Sequence, residues 1–144
     1  MKPIWKEALN AAAEARERAY APYSNFYVGA ALLTTDGQII TGVNVENAAY
    51  SVAICAERSA LASAVSQGHQ QFEAVFVTAR HRDYDLDDPV SPCGVCRQAL
   101  FEFRRAAGQP LAVIMANTKL DKIKESNIDE LLVDGFGPEL GDQK

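Results

Sequence analysis

The sequence predicts an α/β protein folded as a single domain over residues 1–144, with no internal linker. Three observations lead there. A hairpin pattern is followed by helical runs that alternate with short apolar runs, the order that places crossover helices between the strands of one sheet. A length of 144 residues suits one compact domain with a sizeable core. Apolar residues at 48% and charged residues at 23% are ordinary globular composition rather than that of a disordered or fibrous chain.

The elements follow from the chain in order. Pro3 fits the first turn of a helix, and Trp5, Leu9, Ala12, Ala13 and Ala19 line one face of a helix reaching about Tyr20. Ala21-Pro22-Tyr23-Ser24 ends it. Tyr27 to Thr34 then reads as a strand, Thr35-Asp36-Gly37 as a tight turn, and Gln38 to Asn44 as the antiparallel partner. This hairpin delivers Asn44 and Glu46 beyond a strand end, where open α/β sheets commonly carry ligand-binding groups. From Cys55 the pattern is helical, with Ala56, Ala60, Leu61, Ala64 and Val65 as the apolar stripe and Gly68 as the terminator. Ala74 to Thr78 reads as a buried strand, for which a helical crossover favours parallel pairing. Ala79 to Val90, with four aspartates, reads as a solvated loop approaching the next helix, which is predicted over Gly94 to about Arg105. Leu111 to Ala116 is a further apolar strand, Lys122 to Ser126 a short edge strand, and Ile128 to Leu132 a short helix before Gly135-Phe136-Gly137-Pro138.

Charge and cysteine usage narrow the function. A net charge of −5 with no basic stripe argues against a grip on polynucleotide, whose affinity comes largely from phosphate neutralisation. The adjacent pair Arg104-Arg105 reads as a solvated helix face. Lys6, Glu14, Arg16, Glu17 and Arg18 interrupt the N-terminal stretch and no apolar run is of spanning length, so a soluble, cytoplasmic protein with no membrane partner is expected. The three cysteines all fall in two short motifs, and a reducing compartment would keep them as thiols; no disulfide is predicted. His69 and His81 stand outside any ligand spacing and are expected at the surface.

Those motifs are Cys55-Ala56-Glu57 and Pro92-Cys93-Gly94-Val95-Cys96. Three soft thiolates suit Zn²⁺ and leave one tetrahedral position open for water, whose deprotonation the metal makes feasible near neutral pH. A closed structural site would need a fourth protein ligand, and no fourth cysteine exists. Cys55 and Glu57 fall in the first turn of one predicted helix, and Cys93 and Cys96 lie one turn apart at the start of another. Helix N-termini favour thiolate there. Three thiolates also leave the site net negative, and Arg58, beside the pair, is the candidate to offset that charge.

Gly42 to Tyr50, Cys55-Ala56-Glu57-Arg58 and Ser91 to Gln98, in that order, resemble the homotetrameric cytidine deaminases that hold zinc with three cysteines, and the likeness runs from about Ala19 to Gly137. The resemblance implies a three-layer α/β/α fold, a mixed five-stranded sheet with helices on both faces. It implies one Zn²⁺ per subunit on Cys55, Cys93 and Cys96. The implied reaction is hydrolytic deamination of free cytidine and 2′-deoxycytidine by zinc-bound hydroxide in pyrimidine salvage, with Glu57 as proton shuttle. Phe26 then packs against the pyrimidine ring, Asn44 and Glu46 bind ribose hydroxyls, Ala56 belongs to the substrate contacts, and Arg58 donates to ligand sulfurs. Tyr50 and Phe136 stand where the family has inter-subunit residues, Phe136 reaching a neighbour's site. Two features depart from the family: Val133 stands where proline is frequent, and the 79–90 stretch is longer than in many members. The alternatives are a deaminase of N4- or 5-substituted cytidines and, further off, a non-catalytic zinc module.

Overall fold

Side chains alternate across a strand, so an apolar strand covered on both faces supplies two cores at once. The computed structural model, which describes residues 1–104 and 109–138, has three such strands at its centre. In β1 (Phe26–Thr34), Ala30 and Leu32 face one way and Ala31 and Leu33 the other. In β3 (Phe72–His81), Val75 and Val77 oppose Ala74 and Phe76, and in β4 (Ala112–Ala116), Val113 and Met115 oppose Ile114 and Ala116. One set packs under α1 (Pro3–Arg16) through Ala8, Leu9 and Ala12. The other packs under α2 (Ala56–Ser66), α3 (Gly94–Phe101) and α4 (Ile128–Leu131). With β2 (Ile39–Val43) and β5 (Ile123–Asn127) at the edges, the strand order is β2-β1-β3-β4-β5, the mixed five-stranded α/β sheet that the family resemblance implies.

Several boundaries differ from the sequence reading. The parallel pairing expected of the 74–78 strand is formed with β4, while its other neighbour, β1, is antiparallel. β3 also runs on to His81, because Ala79, Arg80 and His81 pair with Val28, Tyr27 and Phe26. The solvated stretch is therefore shorter than Ala79 to Val90. His81, expected at the surface, is half-buried and stacks on Tyr84, with ring centroids 4.3 Å apart. α1 stops at Arg16 instead of Tyr20, since Tyr20 is drawn into main-chain bonds with Asn44 and Glu46. α3 ends at Phe101 rather than near Arg105; Arg104 is not solvated but half-buried over the Phe101 ring, and Arg105 lies outside the described residues. No helix among the described residues is long and apolar enough to cross a membrane.

The close approach of α2 to the sheet depends on Gly42. Its position in β2 faces α2, and a Cβ there would lie 2.2 Å from the Ala60 nitrogen and 2.6 Å from the Ala56 carbonyl oxygen. Both obstacles are backbone, so a side chain could be accommodated only by moving the helix. Gly42→Ala is expected to cost about 1–3 kcal/mol or more in urea denaturation, the range of overpacked cores. Since α2 begins beside Cys55, zinc content of the purified variant is expected to fall with it.

Candidate active site

Two helix starts meet at one point. Cys55 is the N-cap of α2 and Cys93 that of α3, both with extended backbone, and Cys96 sits in the first turn of α3 with its amide donating to the Cys93 sulfur at 3.5 Å. The Sγ atoms of Cys55 and Cys93 are 3.9 Å apart, and all three sulfurs lie within 4.8 Å of one another. Zn–S bonds of about 2.3 Å in tetrahedral array would separate sulfurs by about 3.8 Å, so the donor set and its spacing fit zinc. No disulfide joins them. Zinc is the cofactor that this three-thiol cluster holds.

The electrostatics of the cluster are uneven. Burial drives the Cys96 thiol well above its ordinary pKa, and the charges of Glu57 and Cys55 push the same way. At Cys93 burial also raises the pKa, but hydrogen bonds, first from the backbone and side chain of Cys96, outweigh it and leave the thiol more acidic than usual. The Arg58 guanidinium donates to the Cys55 sulfur at 3.7 Å, and this bond, against burial, holds its own pKa above the usual value; Cys96 adds to the effect. Arg58 Nε is buried and has no hydrogen-bond partner among the described residues. A cation so placed is tolerable beside thiolates and costly beside neutral thiols.

Glu57, in the first turn of α2, is only 4% exposed, and burial raises its pKa while its own backbone amide and Arg58 pull it down. It opens onto a cavity of about 290 Å³, near the small end of ligand pockets, lined also by Phe26, Asn44, Glu46, Cys55, Ala56 and Cys93. Seven of the residues singled out in the sequence therefore share one cavity, and Cys96 lies buried behind it. The sequence reading gave no site role to Val28, Ala53, Ile54, Val77 and Val90, which complete the apolar wall, or to Ser91, which also lines the cavity. The period of two from Phe26 to Val28 along β1 is the signal that could have found Val28.

The two polar residues of the opposite wall are already bonded to the main chain. Asn44 accepts the Val28 amide at 2.8 Å through Oδ1 and donates from Nδ2 to the Phe26 carbonyl at 2.9 Å. Glu46 Oε1 accepts the amides of Tyr23 and Ser24 at 2.9 and 3.1 Å, and Oε2 accepts the Ser24 hydroxyl. Burial raises the Glu46 pKa, but these bonds, led by Ser24, together outweigh it and hold the carboxyl below its ordinary range. Asn44 keeps one N–H donor and one oxygen lone pair beyond these bonds, and the Glu46 carboxylate keeps one acceptor position. Tyr50 and Phe136 do not line the cavity: Tyr50, 80% exposed, borders an adjoining hollow with Tyr23, and Phe136 is 87% exposed.

The comparison with known proteins agrees with this geometry. A family model described as the cytidine and deoxycytidylate deaminase zinc-binding region matches residues 4–108. Cytidine deaminase of Sporosarcina psychrophila is 48% identical over 126 residues, covering 88% of this chain and 86% of that protein. Cytidine deaminase of Halalkalibacterium halodurans is 45% identical over 93% of this chain and 92% of its own length. The crystal structure of cytidine deaminase from Burkholderia pseudomallei superposes with a TM-score of 0.81 at 42% identity, covering 94% of this chain and all of that one.

Two outcomes test the site. Replacing Arg58 by Gln is expected to weaken zinc retention against a chelator by about 10–100-fold, the usual effect of removing a group that supports metal ligands. In chelator-stripped protein, Glu57 has a folded pKa above its unfolded value, so the native state binds the extra proton; stability is full below about pH 4.5 and is lost as pH rises through the folded pKa. Glu57→Gln is therefore expected to flatten the pH dependence of urea unfolding and to stabilise the stripped protein at pH 7 but not at pH 4.

Proposed function

This chain belongs to the cytidine and deoxycytidylate deaminase zinc-binding family, and from that premise we propose that it hydrolyses free cytidine and 2′-deoxycytidine to uridine and 2′-deoxyuridine with release of ammonia. It is a zinc-dependent hydrolase of the cytidine deaminase type. The observation that carries the substrate reading is that Cys55, Cys93 and the buried Glu57 open onto the same small cavity as the Phe26 ring and the Asn44 and Glu46 side chains. Reactive centre, aromatic wall and sugar-sized polar end are then within one nucleoside of each other.

The zinc held by Cys55, Cys93 and Cys96 supplies a Lewis acid that brings water toward deprotonation near neutral pH. Glu57 would take one proton from the attacking water and pass it to ring N3 of cytosine as the water oxygen bonds to C4. The same carboxyl would then take the remaining proton of that C4 hydroxyl and deliver it to the C4 amino group, so that the C4–N bond breaks, the C4 carbonyl forms and ammonia leaves. A carboxyl that opens onto the cavity beside Cys55 and Cys93 suits both halves of this exchange, because it lies on the same wall as the metal ligands and can reach water and substrate in turn. Arg58 keeps the thiolates compatible with one another. Phe26 packs on the pyrimidine ring with Val28 and Val90 around it, and Ala56 leaves room against the ring edge. The remaining donor on Asn44 and the remaining acceptor on Glu46 take ribose hydroxyls.

Full assembly is part of the proposal. The whole chain, residues 1–144, acts as one domain in a homotetramer, with Tyr50 and Phe136 contributed across subunit boundaries, in the cytoplasm and in pyrimidine salvage. What supports the assembly is the exposure of two large aromatics, Tyr50 and Phe136, that a solitary chain leaves in water. The acidic balance speaks for a small nucleoside rather than a polynucleotide.

Mixing the zinc-loaded protein with cytidine is expected to abolish the cytidine ultraviolet band. Glu57→Ala is expected to keep its zinc and lose about 10²–10⁴-fold in kcat. If neither protein consumes cytidine at full zinc content, the substrate assignment falls; N4- and 5-substituted cytidines run in parallel would then locate the substrate. If Glu57→Ala and the wild type are equally active, the proton-shuttle role falls.

A further inference from the structure

The segment after α4 presents Phe136 in an arrangement that its own backbone enforces. In an extended chain neighbouring side chains point to opposite faces. Gly135 and Gly137 flank Phe136, and a Cβ on either would lie 3.0 Å from the ring of Phe101 in α3. Both glycines therefore turn their bare side toward Phe101, and Phe136 is left facing away from its own subunit, 87% exposed. The flanking carbonyls are pinned as well. Gln98 Nε2 donates to the Phe136 carbonyl, and Arg104 Nη2 donates to the Pro138 carbonyl at 3.1 Å. Arg104 itself is fixed: it lies 3.9 Å over the Phe101 ring, donates to the Phe101 carbonyl at 3.2 Å, and approaches Asp129 at 3.9 Å.

We infer that Gln98, Phe101 and Arg104 form a clamp that holds the 135–138 backbone flat on α3 so that Phe136 is delivered, preset, to the active site of a second copy of this chain. The inference rests on the reading of Phe136 as a pocket wall supplied in trans and adds how its position is set. These are positioning residues. α3 carries Cys93 and Cys96 at its start and the clamp along and just beyond the rest of its length, so one helix fixes both a subunit's own metal ligands and the aromatic it lends. An exposed phenylalanine on an unpinned tail would fold back onto apolar surface or sample many rotamers, and a neighbour's substrate would have to order it at the cost of affinity.

A double-mutant cycle decides this, read on zinc-loaded protein with cytidine and with light scattering for assembly. Gln98→Leu/Arg104→Met removes the donors while keeping side-chain length and the apolar cover of Phe101. It is expected to raise KM about tenfold with kcat and zinc content nearly unchanged, the loss of two hydrogen bonds being converted into tail disorder. Phe136→Ala is expected to raise KM at least as much. In the Phe136→Ala background the Gln98→Leu/Arg104→Met pair is expected to add nothing. A clamp variant with wild-type KM, while Phe136→Ala is impaired, overturns the clamp alone. A full-size clamp effect persisting without Phe136 also overturns it, since the pair would then act through α3. A silent Phe136→Ala overturns the trans reading and the clamp with it.

Discussion

Three sulfurs gathered within 4.8 Å are the constraint on which the rest of this molecule depends. As thiolates they repel one another, and at such spacing inside a protein that repulsion amounts to several kcal/mol at an effective dielectric near 20. A divalent cation offsets it, and the polypeptide has to make that state accessible. It does so by placing Cys55 and Cys93 at the N-caps of two helices, whose unpaired amides and positive dipole ends favour anions, and by setting the Arg58 guanidinium against the cluster. Burial and hydrogen bonding pull two of the thiols apart without metal: burial drives the Cys96 thiol up, while at Cys93 hydrogen bonds from Cys96 outweigh burial and hold the thiol below its ordinary value.

Bringing two helix starts together is the task of the sheet. α2 follows β2 and α3 follows β3, and with β1 between those strands both helices cover the same face. The opposite face is covered by α1, whose small Ala8 and Ala12 let it lie close, with Leu120 packed beside it. α1 still reaches the strand ends: Arg16, 9% exposed, donates to the Thr78 hydroxyl at 2.8 Å and the Thr118 carbonyl at 2.8 Å. Thr118 in turn accepts the Leu86 amide, which ties the acidic loop to the end of β4. A buried arginine so completely bonded couples three elements, and it borders the strands rather than the metal.

How much of this was legible in the chain varied with the physical origin of each feature. The thiol cluster and Glu57 were readable because metal chemistry restricts both residue type and spacing, and the apolar runs of β1, β3 and β4 were readable because both faces of each are buried. The end of β3 was not. Ala79-Arg80-His81 lacks a strand pattern, and only pairing with Phe26, Tyr27 and Val28 of a distant segment keeps it extended. The early end of α1 has the same cause, since Tyr20 is recruited by Asn44 and Glu46. Arg104 looked like a solvated charge because its partners, the Phe101 ring and the Pro138 carbonyl, are set by tertiary packing and not by local spacing.

The polar wall of the pocket joins folding to recognition. Asn44 holds the backbone on both sides of Tyr27, closing β1 where it carries Phe26, and Glu46 caps the Tyr23-Ser24 turn with a carboxylate that three donors keep ionised. Groups already bonded in this way have little rotameric freedom left to lose when a ligand arrives, so the proposed sugar contacts are pre-organised and their ordering cost is met during folding. The same economy carries a penalty. A substitution at Asn44 strips the part-buried Val28 amide and Phe26 carbonyl of their partners, at about 1–3 kcal/mol each, before any substrate is considered, whereas the Tyr23 and Ser24 amides bonded to Glu46 lie at the surface, where water can replace it. Affinity and stability at this end of the sheet are therefore two readings of one hydrogen-bond network.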